Sequence, residues 1–270
     1  MARRITVITH LAPEMFVELA LACVEALQSY GFDAVYCVDP ACNKQTDFNI
    51  IVSNKKLKRV SKNNINVVWE TEHIETIYRK KYPVDYTEYT RSLHWFDYKQ
   101  DLTDRNIHFC PIGYSKWFDT SLPKRDIWPY FHMGATRRGL PRYEFRKKFG
   151  IQPDDQIYGR SRDVLIMRSK VNINTRAYED YWFTPLHAAL ILFKGKMLLQ
   201  DDTDKDDYYF YKPYLNFFTE DDFVEKLHYW LEHDKERHEW EHFIHEDMKA
   251  KFPFEKYLYD AIGDLLEDYR

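Results

Sequence analysis

The chain has 270 residues, 17% of them aromatic and 30% charged, and a net charge of −4. This composition excludes a disordered or low-complexity chain and leaves room for one large or two modest domains. No apolar run approaches the ~18 residues needed to span a bilayer, and the opening MARRITVITH leads into a helix carrying Glu18 and Glu25 rather than a signal peptide.

Cys23, Cys37, Cys42 and Cys110 match no zinc or redox spacing, so reduced thiols in the cytoplasm (the host cytoplasm for a viral protein) are the expectation. Charge is distributed unevenly. Residues 1–170 carry 27 Lys and Arg against 20 Asp and Glu, whereas residues 171–270 carry 12 against 23. The basic excess gathers at Lys55 to Lys62 and at Arg137 to Lys148, and the acidic excess at Asp201 to Asp207 and in the last helices. A basic first half can attract an anionic ligand or a polyanion.

In chain order, Ile5 to Ile8 reads as a short buried strand. Glu14 to Tyr30 has helical spacing of Phe16, Leu19, Ala20, Cys23, Val24 and Leu27 and stops at Gly31. Strands are predicted at Asp33 to Val38, Phe48 to Val52, Asn66 to Trp69 and Ile107 to Cys110, with a helix around Tyr89 to Leu102 before the last of these. A linker is expected at Asp119 to Asp126. Beyond it, Ile127 to Met133 is strand-like, Pro141 to Phe149 helical, and Asp163 to Met167 and Val171 to Thr175 are further strands. Thr184-Pro185 opens a helix to about Phe193, since Thr suits the cap and Pro the first helical position. A strand at Lys196 to Gln200 follows, then helices at Glu220 to Glu232, Lys235 to Lys249 and Glu255 to Asp268. Apolar strands alternating with helices predict an α/β fold with parallel sheets.

Three segments carry chemistry. In Asn172 to Ala189, an apolar strand with Asn174 runs through a polar loop with Arg176 and Glu179 to the capped helix start at Pro185 and His187. Free backbone N–H groups there favour an anion, and a carboxylate before the turn accepts hydrogen bonds from sugar hydroxyls. In Phe131-His-Met-Gly134-Ala-Thr-Arg137-Arg138, glycine lets backbone approach a ligand and the arginines suit phosphate. In Val67-Val68-Trp69-Glu70-Thr-Glu72-His73, carboxylates stand at a strand end, where ligands of parallel sheets bind. Glu70 is there a candidate base. The Glu-x-Glu-His run also resembles metal ligands, but no complementary His or Cys pair stands out, and no metal is expected. Glu14, His10 and Asp39 are further strand-end candidates, and Gly113-Tyr114 is a candidate cleft lining.

The Asn172–Ala189 block resembles the donor-binding signature of retaining GT-B glycosyltransferases, in which two glutamates seven residues apart bracket a turn and a Pro-x-Leu-type helix start. Glu179 matches the first glutamate, Pro185-Leu186 and Ala188 the helix start, and Lys196-Met-Leu-Leu the following strand. His187 stands where the family places the second, ribose-binding glutamate. Gly134 with Arg137 and Arg138 resembles the family's glycine-rich strand end near the donor diphosphate.

The resemblance implies a GT-B-like pair of Rossmann-type domains facing across a cleft. Residues 1–120 would form the acceptor side, residues 121–252 the nucleotide-sugar domain, and residues 253–270 a helix packing back on the first. It also implies no tightly bound cofactor and a UDP-sugar as donor, held by Gly134, Arg137, Arg138, Asn174, Arg176, Glu179 and His187. Glu70, Glu14 and Arg138 are the candidate catalytic residues. Compact phage enzymes that glycosylate hydroxymethylated DNA bases share this logic, so duplex DNA is the favoured acceptor. A surface glycan or a small molecule is the alternative acceptor. A nucleotide- or DNA-binding module without turnover, and a hydrolase built on Glu70 to His73, are the alternative functions.

Overall fold

In the computed structural model the described residues are 3–9, 13–38, 46–53, 63–70, 84–95, 106–119, 129–131, 139–151, 157–176, 183–202 and 209–270. The chain divides into two compact units, Met1–Phe118 with Phe252–Arg270, and Asp119–Lys251.

The first unit is built on strands β1 (Arg4–Thr9), β2 (Asp33–Cys37), β3 (Phe48–Ser53), β4 (Ile65–Glu70), β5 (Arg91–His94) and β6 (Ile107–Phe109). They form one sheet in the order β2-β1-β3-β4-β5-β6, and each pairing is parallel. The order reverses between β1 and β3, which places a topological switch point there. Helix α1 (Pro13–Ser29) crosses from β1 to β2 and buries Phe16, Leu19, Ala20, Cys23 and Leu27 at 3.6-residue spacing. The strands are nearly continuous apolar runs because both faces are covered.

The C-terminal helix belongs to this unit. This helix, α7 (Phe254–Tyr269), packs beside α1 with Phe254, Leu258, Ile262 and Leu266 buried. Trp69 stacks on Phe254 with ring centroids 5.7 Å apart, and Arg91 grips Asp264 with two bonds of 2.5 and 2.7 Å. Residues before α7 lie against Gly113: a side chain at 113 would come within 2.6 Å of the Phe252 carbonyl. Tyr114 N–H donates to that carbonyl, and Phe254 N–H donates back to the Tyr114 carbonyl.

The second unit holds a four-stranded parallel sheet in the order β10-β9-β8-β7, from β7 (Tyr130–Phe131), β8 (Asn172–Asn174), β9 (Leu198–Asp201) and β10 (Asn216–Phe218). Its other helices are α2 (Pro141–Lys148), α3 (Gly159–Arg168), α4 (Pro185–Leu192), α5 (Phe223–Glu232) and α6 (Asp234–Lys251). Phe145, Val171, Ile173, Met197, Leu199, Phe218 and Phe223 form its core, with Trp230 and Trp240 packed against them. Helix α4 is apolar almost all round and almost wholly buried, as expected of a central helix.

Several expectations need correction. The predicted helix over Tyr89 to Leu102 is in part the buried strand β5; residues 96–105 lie outside the described set. Sheet pairing with β4 and β6 outweighs local helical spacing there. Asp163 to Met167, read as a strand, lies in α3, because Val-Leu-Ile-Met is equally a helical run when Arg162 and Ile166 face inward four residues apart. Strand β10 and the 3-10 turn Tyr209–Tyr214 had no expectation. Cys37 is disulfide-bonded, whereas Cys23 and Cys110 are free and buried. The expectation of reduced thiols throughout therefore fails at Cys37: spacing that matches no metal motif does not report which sulfurs meet in space. Among the described residues no helix is long and apolar enough to cross a membrane.

Candidate functional site

The carboxyl ends of β8, β9 and β10 open into a cleft of about 200 Å³ in the second unit. Pro141, Phe145 and Phe218 form its apolar wall, and Thr175, Arg176, Asp201, Asp202, Thr219 and Glu220 its polar side. This is where parallel α/β sheets hold ligands: strand ends point free groups outward, and loops rather than helices crown them.

A hydrogen-bonded chain runs under the cleft. Arg142, buried in the first turn of α2, donates Nε–H to the Thr175 carbonyl at 2.9 Å and a terminal N–H to Asn174 Oδ1 at 3.3 Å. Asn174 Nδ2 donates to Gln200 Oε1 at 2.8 Å, and Gln200 Nε2 to Asp201 Oδ1 at 2.6 Å. Asp201 Oδ2 accepts the Arg176 backbone N–H at 2.9 Å. The Asp201 carboxylate can only accept, so it turns the amide nitrogen of Gln200 toward itself. That leaves Gln200 oxygen for Asn174 nitrogen, and Asn174 oxygen for Arg142 and for His187 Nδ1 at 3.4 Å. The network thus selects the Nδ1–H tautomer of His187.

The charges are tuned accordingly. Burial, then the nearby Arg142 and Arg162, pushes the His187 pKa down to about 3, so the ring is neutral at physiological pH. Burial pushes Asp201 up from the ordinary carboxylate range, against the pull of the Arg176 N–H, Arg142, Arg176 and Gln200. The buried Thr175 hydroxyl has no hydrogen-bond partner among the described residues, and Arg176 is exposed at the rim. An unmet hydroxyl and a restrained carboxylate beside an exposed guanidinium can bind a polyhydroxylated ligand carrying an anionic group.

Of the residues expected from sequence, Asn174, Arg176 and His187 meet at this edge. Gly134, Arg137, Arg138 and Glu179 lie outside the described residues, as do His10, Asp39, Glu72 and His73. Glu14 falls in the first turn of α1, but its side chain is not among those described. Glu70, in the first unit, is buried at the end of β4 and accepts the Tyr86 hydroxyl at 2.9 Å. His94 is its register partner on β5, so both side chains leave the same face of the sheet. Sequence reasoning missed Arg142, Thr175, Gln200, Asp201 and His94. Asp201 could have been found as the first charge after the apolar run Met197-Leu-Leu; His94 was hidden by the helix assignment over it. Among the described residues no group of three or more His, Cys, Asp or Glu is placed to hold a metal ion.

No protein-family model matches the chain, and no curated protein does. Among solved structures, the glycosyltransferase SnogD from Streptomyces nogalater is similar to it at 12% identity and a TM-score of 0.40, over 97% of this chain and 99% of that one.

Proposed function

We propose that the protein is a glycosyltransferase that takes a sugar from a nucleotide sugar, a UDP-sugar in the first instance, and that the strand-end cleft of the second unit receives the hydroxyl-rich part of the donor. The observation that carries the reading is the cleft itself, with Asp201 restrained as an acceptor beside the unmet Thr175 hydroxyl and the Arg176 guanidinium. Asp201 and Asp202 would accept from sugar or ribose hydroxyls. Arg176 and the N-terminal turn of α4 would face the diphosphate, with Gly134, Arg137, Arg138 and Glu179 completing the site as the family resemblance implies.

In the transfer, the bond from the anomeric carbon to the diphosphate oxygen breaks and a bond to the acceptor oxygen forms. The acceptor proton passes to a base, for which Glu70 with His94 is our choice and Glu14 the second. The diphosphate leaves with the extra charge, which cationic side chains and helix dipoles neutralise without a metal. In this reading the two units face each other as in GT-B enzymes, and the preferred acceptor is a hydroxymethylated base in duplex DNA, with a surface glycan or small molecule as the alternative.

A binding module without turnover is the second reading, favoured by the neutral His187 where the family has an ionised glutamate. Calorimetric titration with UDP, UDP-glucose and UDP-N-acetylglucosamine tests the donor site. Asp201→Asn should weaken binding by about 10-fold or more, the loss of a charge-assisted hydrogen bond. Mass spectrometry of hydroxymethylcytosine DNA and a glycan panel after incubation tests transfer. Absence of nucleotide binding refutes the transferase and the nucleotide-binding module; nucleotide binding without transfer or hydrolysis leaves the module.

A further inference from the structure

Away from the strand-end cleft, helices α5 and α6 form a second groove, of about 410 Å³, lined by Trp230, Glu236, Glu239, Trp240 and Phe243. On α6 the residues Glu236, Glu239, Trp240 and Phe243 recur at spacings of three and four and so share one face. Trp230 and Trp240 are anchored by packing on the core of the unit, which fixes their rings. Phe243 is 46% exposed and stands 5.4 Å from Trp240 between ring centroids. Tyr229 flanks Trp230 edge-on at 5.2 Å and donates its hydroxyl to Glu236.

Rings held rigidly at the surface beside two carboxylates have a definite chemical preference. The ring faces are the negative poles of their quadrupoles and attract a cation, and the carboxylates add full charges. An apolar partner would have to desolvate both glutamates, and an acidic one would be repelled. The existing neighbours do not saturate the groove: among the described residues Glu239 pairs with Lys235, at 3.8 Å in an exposed pair of the kind that holds weakly.

We propose that this groove docks a basic peptide segment of a partner protein, with a lysine or arginine side chain lying against Trp240 and Phe243 and its charge met by Glu236 and Glu239. The groove is wide and open, and an exposed cation–π contact holds little by itself. The cation must therefore come attached to a chain that makes several contacts at once, rather than as a free small ion. Residues 220–251, which span both helices, carry 11 Asp and Glu against 5 Lys and Arg, and this local excess adds attraction for such a segment.

The test is titration of the full chain with a decalysine peptide, followed by tryptophan fluorescence and calorimetry. Decaglutamate, N-acetyl-lysine amide and tetramethylammonium are the comparison ligands. Saturable quenching by decalysine alone is expected. Phe243→Ala, which changes no charge, and the double variant Glu236→Gln/Glu239→Gln should each raise the dissociation constant at least about 3-fold. Glu255→Gln, an exposed carboxylate of the first unit, should leave it unchanged. Circular dichroism confirms that the variants fold. Equal affinity of Phe243→Ala and the parent chain overturns the proposal, because the attraction is then diffuse charge. Binding of the free cations as tightly as decalysine, or of decaglutamate, also overturns it. So does sedimentation showing that a second copy of the chain occupies the groove.

Discussion

The buried pair of Lys196 and Glu241 offers a direct test of how the second unit is held together. Lys196 precedes β9 and Glu241 projects from α6; the ammonium and carboxylate are 2.8 Å apart, with side chains 0% and 1% exposed. Glu241 also accepts the Met197 backbone N–H at 3.1 Å, so one carboxylate ties the start of a central strand to a helix 44 residues away. Replacing Glu241 by Gln keeps the shape and an acceptor for Met197 but removes the carboxylate charge that stands 2.8 Å from the buried ammonium. Removal of one partner from a buried pair costs about 3–5 kcal/mol. With a urea dependence of roughly 1–3 kcal/mol per molar, the midpoint should fall by about 1–5 M. Lys196→Met should cost a comparable amount for the opposite reason. The double variant Lys196→Met/Glu241→Gln should lie within about 1 kcal/mol of the parent, since no buried charge is then left alone. Two units need not unfold together, so hydrogen exchange of peptides covering residues 196–200 and 237–248 should accompany the urea curves. A single variant within about 1 kcal/mol of the parent, or a double variant worse than both singles, refutes the reasoning.

Gly195 has φ of +60°, and a β-carbon there would lie 2.9 Å from His245 Cβ and 3.2 Å from the Glu241 carbonyl. Gly195→Ala should therefore lower stability by about 2 kcal/mol in thermal unfolding, and a neutral result would contradict the turn geometry. His187 should remain uncharged down to about pH 3, as read by NMR of the labelled ring. The unfolded chain takes up this proton near pH 6.5 and the folded chain does not. The His187 contribution to stability is thus intact above pH 6.5 and declines as pH falls from there toward 3; a midpoint near 6.5 in the folded protein would contradict the network under the cleft. His245 behaves oppositely. Its pKa is raised, first by the bond to the Asp119 carboxylate at 3.0 Å, with burial opposing and Glu246 assisting. That contribution is present below pH 6.5 and is lost as pH rises through the higher folded value. Asp119→Asn should lower the NMR midpoint of His245, and an unmoved midpoint would show that the pair is not formed in solution.

Helix α1 and strands β1 to β4 were legible because their signals are local. Phe16, Leu19, Ala20, Cys23 and Leu27 recur on one face, and Ile5 to Ile8 and Phe48 to Val52 are apolar runs of strand length. The errors fall where pattern and packing part company. Arg91-Ser-Leu-His becomes a strand only because β4 and β6 stand on either side of it. Val164 to Met167 has no period that separates strand from helix. The cleft was half legible for the same reason. Asn174, Arg176 and His187 lie in one local block that resembles a known signature, whereas Arg142 and Asp201 join them across 32 and 25 residues. Arg142 sits in a basic cluster that the sequence offers as an attractor of anions, yet it is buried and donates to the Thr175 carbonyl and Asn174.

The electrostatics of the cleft also bear on why an imidazole stands at position 187. Asp201 and Asp202 already put two carboxylates on its polar side, and Glu220 a third, paired with Lys148 at 2.6 Å. Arg176 is the one cation among its described lining residues. A further glutamate at 187, in the first turn of α4, would cancel much of the positive end of that helix. The neutral Nδ1–H imidazole does not: it hydrogen-bonds Asn174 and adds no charge. Under the proposed function, an anionic donor would be drawn in one direction, with hydroxyls toward Asp201 and Asp202 and phosphates toward Arg176 and the α4 terminus. His187→Glu should on this reasoning weaken a diphosphate-bearing ligand and spare a neutral sugar. Equal losses for UDP-glucose and methyl glucoside in competitive titration would mean that position 187 acts through the fold rather than through charge.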